Sequence, residues 1–146
     1  THARIGTPEA ITFGPDGSLY FADSLYHVIR RIAPNGIIDT VIGDGTAGYT
    51  EDGNVQSRGR INTPRGLDVS SDGILVFTDS GNGLIRSLTP NGILQTLAGC
   101  REAGETNSSS SNSARFNQLD SIRIYGEDCA LFSDHYNHRI KILRWR

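Results

Sequence analysis

Short apolar runs, broken every few positions by Asp, Asn, Gly or Pro, dominate the chain. Ile11–Phe13, Leu19–Ala22, His27–Ile32 and Ile37–Ile42 read as four short strands, with turns at Pro15-Asp16-Gly17 and Pro34-Asn35-Gly36. Glycine supplies the positive φ that a tight turn needs, and Asn-Gly between two apolar runs is a strong hairpin signal. The second run is apolar on both faces and stops at Asp23; the fourth is rich in β-branched residues and stops at Gly43. The same runs return at 67–69, 74–78, 84–88 and 93–98.

The return is an internal repeat. Residues 7–43 lie over 63–99 without a gap, and sixteen of the thirty-seven positions are identical, among them Pro8/Pro64, Asp16/Asp72, Phe21/Phe77, Asp23/Asp79, Arg30/Arg86 and Gly43/Gly99. A third unit, 118–146, follows at a spacing of 55 rather than 56; it keeps Phe132, Asp134, Asn137, Ile140 and Leu143 and stops before a fourth strand. There Leu119 replaces the proline and Glu127-Asp128 the Asp-Gly turn. Loops 44–62 and 100–117 separate the units. Both close alike, Arg60-Ile61-Asn62 and Arg115-Phe116-Asn117, which predicts a short turn burying one apolar side chain. The second loop carries the low-complexity run Thr106–Ser113, which is expected to be mobile. Strands apolar on both faces must be covered on both sides, and hairpin-linked four-stranded sheets stacked in a ring meet that need. The expected fold class is all-β: a β-propeller segment of antiparallel blades, two full and most of a third.

At 146 residues the chain suits one domain or part of a larger one. Fourteen basic against sixteen acidic side chains give a net charge of −2, which removes any whole-molecule attraction to nucleic acid. No apolar run approaches the roughly 18 to 20 residues that a membrane-spanning helix needs, and the start shows no signal-peptide pattern. The absence of methionine points to an excised segment or a processed chain. Cys100 and Cys129 are too few for a disulfide scaffold and read as thiols. Arg139, Lys141, Arg144 and Arg146 read as a solvated basic strand end.

Position by position, Pro64-Arg65-Gly66-Leu67, Asp72-Gly73, Phe77-Thr78-Asp79-Ser80 and Asn82-Gly83-Leu84-Ile85-Arg86 resemble the NHL repeat. The text Gly45-Thr46-Ala47-Gly48-Tyr49, Asp52-Gly53 and Arg60-Ile61-Asn62-Thr63-Pro64 resembles the inter-blade loop of that family, and the likeness runs from Ile5 to Leu143. The resemblance implies a propeller, typically of six blades, and no single activity. Six units need more than twice this chain, so either further blades are supplied by a longer product or copies of the chain associate to complete the ring. An open stack leaves two apolar sheet faces bare. The missing fourth strand of the third unit is expected to be filled by His2 to Ile5 of another copy.

Asp23, Asp79 and Asp134 recur at the end of the second strand and read as structural turn residues, accepting backbone amides of the following turn, rather than as metal ligands. His27 and His138 are equivalent, with Gly83 between them in the series; they match the histidine of the family's Asn-His-x-Ile turn and read as structural. His135 has no counterpart, and four histidines without pairing at helical or hairpin spacing do not make a zinc site. The resemblance extends to amidating lyases, which place zinc-binding histidines after the proline that opens an inner strand. The corresponding residues here are Glu9, Arg65 and Asp120, expected on the rim of a central channel. Lactonase propellers gather hard oxygen ligands at that mouth, and Arg65 between two carboxylates argues against calcium there.

These residues point to a non-catalytic binding or scaffold module without a cofactor, presenting loops 44–62 and 100–117 to a protein partner. One alternative is single-stranded RNA binding through Arg58, Arg60, Arg65 and Arg115, although Glu9, Glu51, Asp52 and Asp120 interleave with them. A further alternative is a fragment of a metal-dependent propeller hydrolase or lyase. Asn107 opens a glycosylation sequon for a secreted chain and Ser108–Ser111 offer phosphorylation sites for a cytosolic one, so the compartment stays open.

Overall fold

The structure, a computed structural model, describes residues 3–54, 59–102, 104 and 111–145. His2, Arg58, Asn107, Ser108–Ser110 and Arg146 therefore lie outside the described residues. Three antiparallel sheets follow the three sequence units. The first runs β1 (Pro8–Phe13), β2 (Leu19–Asp23), β3 (Val28–Ile32) and β4 (Ile38–Ile42), in that spatial order. In the second, β6 (Pro64–Val69), β7 (Leu75–Asp79), β8 (Leu84–Leu88) and β9 (Ile93–Ala98) repeat the arrangement. A two-residue strand inside loop 44–62, β5 (Gly53–Asn54), adds to the outer edge of β9. The third sheet has three strands, β10 (Leu119–Ile124), β11 (Cys129–Asp134) and β12 (Arg139–Arg144).

Turn chemistry sets these hairpins. Asp16 accepts Ser18 N–H (3.0 Å) while Gly17 takes φ 78°, and Asn35 accepts Ile37 N–H (3.1 Å) while Gly36 takes φ 82°. In the third unit the positive φ moves to Gly126, one residue ahead of the Glu127-Asp128 pair, and Tyr125 N–H closes on the Cys129 carbonyl. A bulge interrupts the first strand of each sheet at the same place, between Pro8 and Ala10, Pro64 and Leu67, and Leu119 and Ile122. Extended backbone thus begins at Pro8 and Pro64, three residues before the apolar runs Ile11–Phe13 and 67–69.

β6 adjoins both β1 and β10 on the inside, and the sheets stack face to face. Ala22, Ile29 and Ile42 of the first sheet meet Leu67, Leu75, Phe77, Leu88 and Leu94 of the second, with Ile61 sealing the layer. Val76, Ile85 and Ala98 then meet Ile122, Ala130, Phe132 and Leu143 of the third, sealed by Phe116, which stands edge-on to Phe132 at 5.2 Å. Two inner strands press together at Gly66, where a Cβ would stand 2.5 Å from the Asp120 carbonyl oxygen. Asp68 ties all three: it accepts Thr12 Oγ1–H (3.0 Å), Ile124 N–H (2.9 Å) and the Arg123 guanidinium (3.3 Å).

Two faces stay open. Ile11 (64% exposed) and Phe13 (69%) occupy the positions that are Leu67 and Val69 in the second sheet, where they are covered. On the far side, Ile140 (74%) is the equivalent of Ile29 and Ile85, both fully buried. Each terminal face therefore presents the apolar half of a sheet-to-sheet contact that the molecule makes internally. Cys129 is buried and Cys100 half-buried, both as free thiols. No helix among the described residues is long and apolar enough to cross a membrane.

Candidate functional site at the inner-strand rim

Glu9, Arg65 and Asp120 each sit in the bulge of their inner strand, a geometry that turns side chains out of the ladder. Arg65 Nη1 and Asp120 Oδ1 stand 3.1 Å apart across neighbouring blades. Asp120 Oδ2 lies 2.9 Å from His135 Nδ1, and Gln118 Nε2 donates to Asp120 Oδ1 at 3.2 Å. Glu9 instead accepts Ser24 Oγ–H at 3.0 Å. Ser24, Ser80 and His135 occupy one repeat position, so the residue after each strand-ending aspartate reaches toward the rim. In the second blade Ser80 Oγ–H donates to the Leu119 carbonyl of the next blade. Sequence reasoning left His135 without a counterpart; its counterparts are serines, and only their place in the repeat marks them.

Arg65→Ala is expected to leave the β-rich circular dichroism intact and to cost about 1 kcal/mol or less, since half-exposed ion pairs contribute little. Loss of the folded signal would place Arg65 in the frame instead of on the rim.

Asp23, Asp79 and Asp134 are fully buried and work as anchors for the incoming loop. Asp23 accepts Gly6 N–H (2.8 Å) and Thr7 N–H (3.0 Å), Asp79 accepts Asn62 N–H (2.7 Å), and Asp134 accepts Asn117 N–H (2.8 Å). The principal donors thus lie upstream of the carboxylate; from the following turn come Tyr26 N–H at 3.4 Å and the side chains of Asn82 and Asn137, each at 2.9 Å. Those two asparagines also donate to loop carbonyls, Gly48 (2.9 Å) and Gly104 (3.0 Å).

A cation stands beside two of these aspartates. Arg86 is 0% exposed; its Nη1 lies 3.6 Å from Asp79, while Nη2 donates to the Thr50 carbonyl (2.6 Å) and Asp52 (3.0 Å). Lys141 occupies the matching place, 3.1 Å from Asp134 and over the Phe116 ring, so it is not the solvated residue that the basic C-terminal run suggested. Burial pushes the Asp79 carboxyl up to about 6, against the Asn82 and Asn62 hydrogen bonds and Arg86. At Asp52 burial works in the same direction, yet the N–H and hydroxyl of Thr96 with Arg86 hold the carboxyl below its ordinary value.

The loops are pinned by equivalent contacts. Arg60 pairs with Asp44 at 2.7 Å in the first, Arg115 with Glu102 at 2.5 Å in the second. Among the described residues no three His, Cys, Asp or Glu side chains gather as metal ligands.

No family model matches the chain. The protein SUPPRESSOR OF QUENCHING 1 of Arabidopsis thaliana is 33% identical over 85 residues, 58% of this chain and 8% of that protein. The chain thus spans under a tenth of the length of that relative. Among solved structures, a Bacteroides thetaiotaomicron protein of unknown function superimposes over 99% of this chain and 37% of its own, with TM-score 0.84 and 22% identity. An auxiliary nutrient binding protein of the same bacterium matches over 93% of this chain and 37% of its own, with TM-score 0.69 and 27% identity. Virginiamycin B lyase from Staphylococcus aureus matches over 99% and 43%, with TM-score 0.57 and 16% identity, a likeness of fold alone. The stacked antiparallel sheets and these neighbours together identify the chain as consecutive blades of a β-propeller.

Proposed function

We propose that the chain is a non-catalytic binding module of NHL-repeat type whose loops 44–62 and 100–117 receive a protein partner. The observation that carries this reading is the way the first loop is held. Asp52 takes Thr96 N–H (2.8 Å), Thr96 Oγ1–H (2.9 Å) and Arg86; Arg60 N–H reaches Thr50 Oγ1 (2.7 Å); and Gly48 N–H closes on Ile61. A loop fixed this way presents exposed Thr46, Glu51 and Arg60 with its backbone already ordered, which lowers the entropic cost of binding. The likeness to an auxiliary nutrient binding protein supports a binding role in general. Arg60, Arg65 and Arg115 each face a carboxylate, so a phosphate-reading surface would first have to break those pairs, which disfavours single-stranded RNA.

A photo-crosslinking amino acid at Glu51, introduced into the full chain in its native host, is expected to capture one discrete protein. The same group at Asp39, on the outer strand of the first blade, is expected to capture none. No adduct from Glu51, or the same adduct from both positions, overturns the assignment.

A further inference from the structure

The repeat places one backbone position after each second strand in the left-handed region: His27 at φ 52°, Gly83 at 67° and His138 at 54°. Between the first and second blades the His27 ring fills the space in front of this turn, and its Nδ1 accepts Thr63 N–H at 3.0 Å. The next gap follows the same chain path, since Gln118 (φ 58°) repeats the left-handed turn of Thr63 (φ 48°). Yet Gly83 has no side chain to send across. What remains between the second and third blades is a cleft of about 280 Å³, reaching from Gly83 to Gln118 and Asn117.

The cleft is lined by both Arg65 and Arg101, and no carboxylate is among its lining residues. Arg65 shares its charge with Asp120, while Arg101 stacks on the Tyr49 ring at 4.7 Å, bordering a second pocket with Glu51 and Asp52 but forming no ion pair with a carboxylate among the described residues. Within the cleft's own lining the charged side chains are therefore positive. Side-chain amides of Asn117 and Gln118 add neutral polar groups, and the Tyr136 ring, 57% exposed, supplies a flat apolar wall. The volume lies just below the range of drug-sized ligand sites, so it suits a small molecule.

We infer that this cleft, opened by glycine where the neighbouring gap holds a histidine ring, binds a small organic monocarboxylate. Its carboxylate meets the Arg101 guanidinium, whose planar fork matches that group, and its body lies against Tyr136. The cleft takes Arg101, Phe116 and Asn117 from loop 100–117, but a benzoate titration and a protein crosslink from Glu51 read different ligands, so either reading can fail without the other.

The test is a titration of the full ¹⁵N-labelled chain with sodium benzoate, with inorganic phosphate as the second arm. Saturable shifts at the Gly81, Gly83 and Gln118 amides are expected with benzoate and not with phosphate. Arg101→Ala is expected to weaken binding by at least about tenfold. Gly83→His is expected to abolish it by restoring the ring. Its Cβ would stand 3.2 Å from the Cys100 carbonyl oxygen, a contact that needs a small adjustment on a backbone that two histidines already adopt elsewhere in the chain. If that variant does not fold, the Arg101→Ala comparison carries the test alone. Absence of saturable shifts, binding of phosphate in preference to benzoate, or full affinity in either folded variant overturns the proposal.

Discussion

Arg86→Met is expected to cost about 3–5 kcal/mol, read as a fall in the urea midpoint at pH 7.5, because removing one partner of a buried pair strands the other charge. The guanidinium has no exposed surface and reaches Asp79, Asp52 and the Thr50 carbonyl, with the Tyr49 ring 5.1 Å away. Without it, Asp79 stays buried with no cation and the first loop loses two of its ties. The pH dependence follows from the sign of the Asp79 shift. Its carboxyl lies at about 6 in the folded chain against an ordinary 3.8, so the folded state holds the proton more tightly. The contribution of this group is therefore most favourable below pH 4, declines as pH rises toward 6, and is level above; a shift of two units corresponds to about 3 kcal/mol. Loss of Arg86 raises that carboxyl further, so the gap between wild type and variant should be wider at pH 8 than at pH 5. Equal midpoint changes at both pH values would mean that Arg86 acts through packing alone.

The second large effect is expected at Gly43→Ala and its repeat equivalent Gly99→Ala, each costing about 3 kcal/mol or more through strained φ plus overpacking. These glycines take φ 103° and 105° where the outer strand hands over to the loop. A Cβ at Gly43 would stand 2.3 Å from the His27 carbonyl oxygen, and one at Gly99 2.3 Å from the Gly83 carbonyl oxygen. Gly36→Ala separates the two causes: φ is also positive there, but nothing lies within 4 Å of the added methyl. Thermal unfolding should show about 1–2 kcal/mol for Gly36→Ala, the backbone component alone. A Gly43→Ala loss no larger than that would show that the carbonyl contact contributes nothing.

Repetition made the fold legible. Asp-Gly and Asn-Gly turns repeated 56 residues apart fix strand number and order without any tertiary knowledge, and the text of the third unit predicts its three strands. What escaped were features without a local signature. β5 is two residues long and begins with glycine, so no apolar alternation announces it. The inner strands begin early because a bulge at Glu9, Arg65 and Asp120 interrupts the alternation there. The three recurrent aspartates stood out by position, but their principal backbone donors lie 16 or 17 residues upstream on the incoming segment, a distance no turn motif spans. Lys141 read as surface charge, and Arg86 stood out only as a repeated position, because a buried cation is recognised only once its carboxylate is found across the sheet. Arg65 and Asp120 were grouped by repeat position, and the structure brings that pair together while Glu9 turns to Ser24.

The two bare faces carry one further consequence. Because the side holding Ile11 and Phe13 matches the side holding Ile140 in the way the second sheet matches the first, their contact is heterologous: any unit that covers one face offers a fresh copy of the other. Such a surface is never satisfied by pairing, only by closure. In any stack built on these faces, within one longer polypeptide or between copies, the rotation accumulated per blade decides between a closed circle and an open fibre, and the tilt between neighbouring inner strands, where Gly66 permits a close approach, enters that rotation without touching either face.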